Sequence, residues 1–180
     1  MPRCKVCREK FEAKYFLQKA CFNPSCLAEW AKTEREKEAD KKHIKRKKEF
    51  NDNDKSLRKK AAQKAFNAYI RFRDSGLACI SCGNMPNSSS YIGGSGIHAG
   101  HFKSCGAHSE LRFNELNCHV QCFRCNVHLS GNIKGYRPAL INKIGLDKVE
   151  WLEGEHEPKK YTCKELKEIE LKYKKLIKKD

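Results

Sequence analysis

Asn117-Cys118-His119-Val120-Gln121-Cys122-Phe123-Arg124-Cys125-Asn126 is the stretch on which the fold turns. Its first half alternates, so a strand here puts Asn117, His119 and Gln121 on one face and Cys118, Val120 and Cys122 on the other. Its second half is a Cys-x2-Cys knuckle, matched upstream by Cys79-x2-Cys82. Two such knuckles offer one tetrahedral zinc its four soft ligands. Between the pairs lie His98, His101, His108, Asn117 and His119, and directly after them come Asn126 and His128. Taken singly, each histidine reads as structural. Five of the chain's 7 histidines gathered at one metal clamp point instead to a functional site.

Working outward, a second quartet stands near the start. Cys4-x2-Cys7 and Cys21-x4-Cys26 also fit a single zinc, with Phe11, Tyr15 and Phe16 as an expected miniature core. Residues 1–27 are thus predicted to be a zinc knuckle. Residues 28–64 turn to Lys, Glu, Arg and Ala without Pro or Gly, which predicts a solvated helical arm broken near Asn51-Asp52-Asn53-Asp54. Apolar positions return from Leu57 through Phe66, Tyr69 and Ile70, and Ser75-Gly76 closes that helix ahead of the second quartet. A Gly/Ser/Asn-rich connection is expected over 84–96. Beyond the cysteines, 136–144 and 146–152 read as short helices. Thr162 with Glu165 forms a capping box before a helix that puts Leu166, Ile169, Tyr173 and Leu176 on one side.

Composition narrows the class. Among 180 residues, 38 Lys and Arg against 22 Asp and Glu give a net charge of +16, a field that gathers polyanions, so DNA is the expected partner. A mean hydropathy of −0.80 leaves little apolar material for a large core. The 11 cysteines are the natural staples. No secretory leader, lipidation motif or membrane-length apolar run is evident, which points away from disulfides and membranes and toward reduced thiols in a cytoplasmic setting. The expected fold is a small zinc-stapled α+β protein with flanking helices, its part over 65–180 carrying the site. Cys105, Cys118 and Cys163 lie outside both quartets.

The run from His101-Phe102 through Asn114-Glu115-Leu116-Asn117, the Cys122/Cys125 knuckle, Asn126 and Ser130-Gly131-Asn132 resembles an HNH motif embedded in a zinc ribbon. More narrowly it resembles the phage lambda NinG (Rap) recombination proteins, over nearly the whole chain. That resemblance implies a ββα-metal (HNH) core in which a β-hairpin and a helix grip one divalent ion, Mg2+ or Mn2+, beside two structural zinc sites. It also implies a metal-dependent bacteriophage endonuclease that resolves branched recombination intermediates, Holliday junctions or D-loops, in the host cytoplasm. His101 would be the general base, Asn117 would tie the loop, and Asn126 would bind the ion from the start of the helix. HNH proteins often carry Asp directly before the base. Gly100 stands there, so His98 is taken as a substitute ligand brought back by a tight Ala99-Gly100 step, with His119 as a further ligand if its strand face looks into the cleft. Paired nicks in a two-fold junction favour a homodimer, although no segment reads as a dimer seam. Two readings compete: an HNH nuclease or nickase on ordinary duplex DNA, and a non-catalytic zinc-ribbon DNA-binding recombination factor with structural histidines.

Overall fold

The computed structural model describes residues 1–85 and 96–178. Most of the connection expected over 84–96 lies outside them. The chain divides into two units, 1–52 and 53–180.

In the first unit a short bridge between Arg3 and Lys10 sets up the Cys4/Cys7 loop. Helix α1, Pro24–Asn53, follows the second cysteine pair. Asn23 opens it by accepting from the Ser25 N–H at 3.0 Å, and Pro24 suits a first turn whose N–H groups have no partner. Cys26 is the one buried side chain on α1. The helix surface carries exposed pairs such as Lys37–Glu34 and Lys42–Glu38, which solvent screens and which weigh little in stability. The core here is Cys4, Ala20 and Cys26 with Val6, Phe11, Cys21 and Trp30 against them. Phe11 packs as expected. Tyr15 and Phe16 do not: they are 59% and 91% exposed, and Trp30 from α1 takes the place foreseen for them. The knuckle and the start of the helix are therefore one packed body.

The second unit begins with α2, Lys55–Arg73, capped by Asp54, whose side chain accepts from Leu57 N at 2.9 Å. The helix break thus falls at the end of the predicted Asn/Asp run. Strand β1, Ile97–His101, pairs antiparallel with β2, Cys118–Cys122, in the register His98 to Gln121 and His101 to Cys118. A five-residue π-helical turn over 124–128 follows, and then come α3, Ile133–Ile144, and α4, Leu146–Glu153. The closing helix α5, Cys163–Ile177, starts with the predicted Thr162/Glu165 capping box.

Two apolar clusters flank the sheet. On one side Ala65, Phe66 and Ile70 of α2 meet Cys118 of β2 and Tyr173 of α5. On the other, Phe102 and Leu111 join Tyr136, Leu140, Val149 and Leu152 from α3 and α4. Each such large side chain fully buried contributes about 1.5–3 kcal/mol, so this unit has an apolar core of its own. No helix among the described residues is long and apolar enough to cross a membrane.

Candidate functional site

Both quartets close. All four sulfurs of Cys4, Cys7, Cys21 and Cys26 lie within 4.8 Å of one another, as do those of Cys79, Cys82, Cys122 and Cys125. Cys7 and Cys21 are 4.0 Å apart, Cys82 and Cys122 3.9 Å. Zinc bonds of about 2.3 Å in a tetrahedron place sulfurs about 3.8 Å apart, so each group is arranged to hold one such ion. Donors already point at the sulfurs. Cys4 Sγ accepts from the Val6 and Cys21 N–H groups at 3.4 Å each, and Cys125 Sγ accepts from Asn132 Nδ2 at 3.4 Å. The backbone N–H of Cys21 leads in drawing the Cys4 thiol down to about 6, whereas burial beside its neighbours pushes Cys26 up to about 12. Burial likewise lifts Cys125 to about 12. Four thiolates therefore need a cation to coexist.

Strand alternation sorts the predicted site residues. Ile97, Ala99 and His101 share the α2 side of β1, while His98 and Gly100 share the other. On that second side, His98 Nδ1 meets Asn126 Nδ2 at 3.3 Å. His98 Nε2 is buried and has no protein partner. The structure thus brings His98 and Asn126 together, though not by the expected route. β1 runs as regular strand through Ala99-Gly100, and His98 reaches Asn126 by lying two residues from Gly100 on the same face. Asn126 likewise sits on the π-helical turn, where the sequence suggested the opening of an α-helix.

His101 faces the other way. Its Nε2 lies 3.0 Å from Arg112 O, its Nδ1 3.6 Å from Cys118 Sγ, and its ring packs on Phe66 at 5.8 Å. Burial holds the imidazole below its ordinary value, so it is neutral near pH 7. The structure does not bring His101 to the His98–Asn126 pair.

His119 is enclosed, and its strand face looks into the core instead of a cleft. Nδ1 lies 3.0 Å from Arg73 Nη2 and 3.6 Å from Asp74 Oδ2, and Nε2 lies 3.1 Å from Leu116 O. Both nitrogens are thus committed to protein partners, which fits a brace better than an ion ligand. Burial pulls this ring below its ordinary value, a shift only partly offset by the hydrogen bond to Asp74. Asp74 itself is raised by burial, but His119 and Arg73 together hold it well below the carboxylate range. Asn117 ties the loop: it accepts from Lys103 N at 2.8 Å and donates to Lys103 O and Leu111 O at 3.0 and 3.1 Å.

Three residues escaped the sequence reading as members of this region. Asp74, next to the helix-closing Ser75-Gly76, accepts from Val120 N at 3.1 Å and anchors β2. Asn132 caps a cysteine sulfur from a left-handed position. Gln121 is fully buried: its Nε2 donates to Ser81 Oγ at 2.5 Å and Gly131 O at 2.7 Å, and its Oε1 has no partner. A Cβ on Gly100 would land on that Oε1 atom. Period-two alternation had put Gln121 on this face, but nothing in the sequence marked the oxygen as free.

Comparison with known proteins agrees with the motif reading at the level of family. The family described as Bacteriophage Lambda NinG protein matches residues 1–180. Protein ninG of Escherichia phage 933W is 42% identical over 119 residues, which are 66% of this chain and 56% of that protein. Protein ninG of Escherichia phage lambda is likewise 42% identical, over 66% of this chain and 55% of the relative, and that of Salmonella phage P22 is 41% identical. The aligned part therefore spans little more than half the length of these relatives. No solved structure matches the chain. With the family matched from residue 1 to residue 180, this chain belongs to the NinG family of phage lambda.

Proposed function

We propose that this protein is a metal-dependent endonuclease of the HNH kind that cuts branched DNA. The observation that carries the reading is the meeting of His98 with Asn126 beside the second cysteine quartet, where a buried imidazole nitrogen lacks a protein partner. An imidazole nitrogen suits Mg2+ or Mn2+, and rotating the Asn126 amide lets its oxygen accept from His98 Nδ1–H, which leaves the Nε2 lone pair for the ion. A divalent ion held there would supply positive charge against a scissile phosphate. The protein's own part is to fix its residues: the Cys122/Cys125 knuckle sets the turn that carries Asn126, and Asn117 pins both ends of the loop after β1. DNA contact is supported by the net charge of +16 and by the Lys41–Lys48 stretch of α1, which holds six basic residues and no acidic one. The branched substrate rests on the NinG resemblance.

One observation favours a second reading, a zinc-stapled DNA-binding recombination factor without catalysis. Both nitrogens of His101 face protein atoms, so a base role requires its ring to leave Arg112 and Cys118 when DNA binds. Labelled four-way junctions and matched linear duplexes, incubated with Mg2+ and wild-type, His98→Ala, His101→Ala or Asn126→Ala protein, decide between them. Cleavage confined to the junction and lost in the variants, with binding kept, is expected. Equal cutting of duplex removes the branched substrate, and tight binding without cutting under Mg2+ or Mn2+ establishes the second reading.

A further inference from the structure

We infer that Gln121 Oε1 is an oxygen ligand of the divalent ion, supplied across the sheet in the space that a side chain at position 100 would otherwise fill. This rests on the nuclease reading above. Gln121 Nε2 donates to Gly131 O, which can only accept, and to Ser81 Oγ, whose own hydrogen goes to Gly131 O at 3.3 Å, so the rotation of the group is set. Oε1 must then point away from both. It does, and it is buried with nothing to accept from. A buried carbonyl left without a partner is destabilising, so a fixed and lone one implies a partner of positive character.

The surroundings say which partner. Gln121 is the cross-strand neighbour of His98, whose Nε2 is the other orphaned buried atom among the described residues. Directly opposed side chains in an antiparallel pair have Cβ atoms about 4.5–5.5 Å apart. Asn126 lies against the opposite ring nitrogen, Nδ1, at 3.3 Å and orients the imidazole. Two directly paired residues thus bring an imidazole nitrogen and an amide oxygen to one face of the sheet. Water would satisfy the orphans singly, but a divalent cation uses lone pairs from both groups.

Gly100 then has a reason. A Cβ there would strike Gln121 Oε1, so an Asp at 100 and the present Gln121 exclude one another. The departure from the HNH pattern becomes a transfer of the oxygen from β1 to β2. The cost is charge: the proposed shell is neutral where a carboxylate would bring a negative one. A neutral shell holds a dication well only when substrate phosphate joins it.

The test reads Mn2+ binding by electron paramagnetic resonance on zinc-loaded full-length protein with a four-way junction of uncleavable backbone. Wild type is expected to bind one Mn2+ at this site. Gln121→Ala should weaken that binding by about tenfold or more. Gly100→Asp alone should bind no tighter than wild type, whereas Gly100→Asp with Gln121→Ala should recover the lost affinity. Because Gln121 is buried, unmutated protein provides a second measurement. With carbon-13 at glutamine Cδ, only Gln18, Gln63 and Gln121 carry label, and a hyperfine coupling to bound Mn2+ is expected. Wild-type binding with neither that coupling nor a loss in Gln121→Ala overturns the inference and leaves the nuclease reading standing. No Mn2+ bound by wild type overturns both.

Discussion

The two cysteine quartets are alike in the placing of their four sulfurs and unlike everywhere else. In each, the outer cysteines are buried, the second is exposed and the third half-buried. Around the first, the surrounding core is Val6, Phe11, Ala20 and Trp30, most of them only partly buried. Around the second, α2 and α5 bury Phe66, Ile70 and Tyr173 on one side of the sheet, and α3 and α4 bury Tyr136, Leu140 and Leu152 on the other. The same clamp therefore does two jobs. It is most of what holds the first unit together, whereas in the second it registers β2 and its turn against a core that stands by other means.

Stripping the metal should break the likeness most sharply. Structural zinc supplies about 10–16 kcal/mol in small finger peptides, far more than the first unit's thin core. With chelator, hydrogen exchange should lose protection throughout residues 1–30 while α2 and α5 keep theirs; equal loss in both would show that the second unit also depends on its ion. Phe66→Ala is the reverse experiment. Removing that fully buried ring should cost about 3–5 kcal/mol in the second unit's unfolding, with exchange at Cys4 and Cys21 unchanged.

Acid sharpens the contrast further. His101 and His119 are buried and held below their ordinary value of 6.5, so the stability they contribute is present above about pH 6.5 and is lost as pH falls through their folded values. The first unit has only the exposed His43. Between about pH 7.5 and about pH 5.5 the second unit's melting temperature should fall more than the first's, and His119→Gln should flatten that slope. The smallest expected effect is at the α5 cap: Thr162→Ala should cost the second unit about 1 kcal/mol by denaturant titration and the first unit nothing.

What could be read beforehand followed local rules. Cysteine spacing gave both clamps, the Thr162/Glu165 pair gave the start of α5, and alternation assigned the faces of β2. Burial was harder, since it depends on partners far along the chain. Both faces of β2 are covered, so a pattern that usually separates core from solvent could not tell that His119 is walled in by Arg73 and Asp74. Tyr15 and Phe16 look like core by type and lie outside it because Trp30 arrives from α1. The freedom of Gln121 Oε1 depends on Ser81, Gly131 and Gly100, three positions that no local pattern links.

The reach of each clamp along the chain also sets a clock. Cys7 and Cys21 are 14 positions apart, Cys82 and Cys122 are 40. At a synthesis rate of about 5–20 residues per second, the first pair waits about 1–3 s for its counterpart and the second about 2–8 s. During that longer interval Cys79 and Cys82 are a nascent dithiol without its other half, exposed to oxidants and to competing soft metals. Zinc scarcity or oxidative stress in the translating cell should therefore damage the second unit before the N-terminal knuckle.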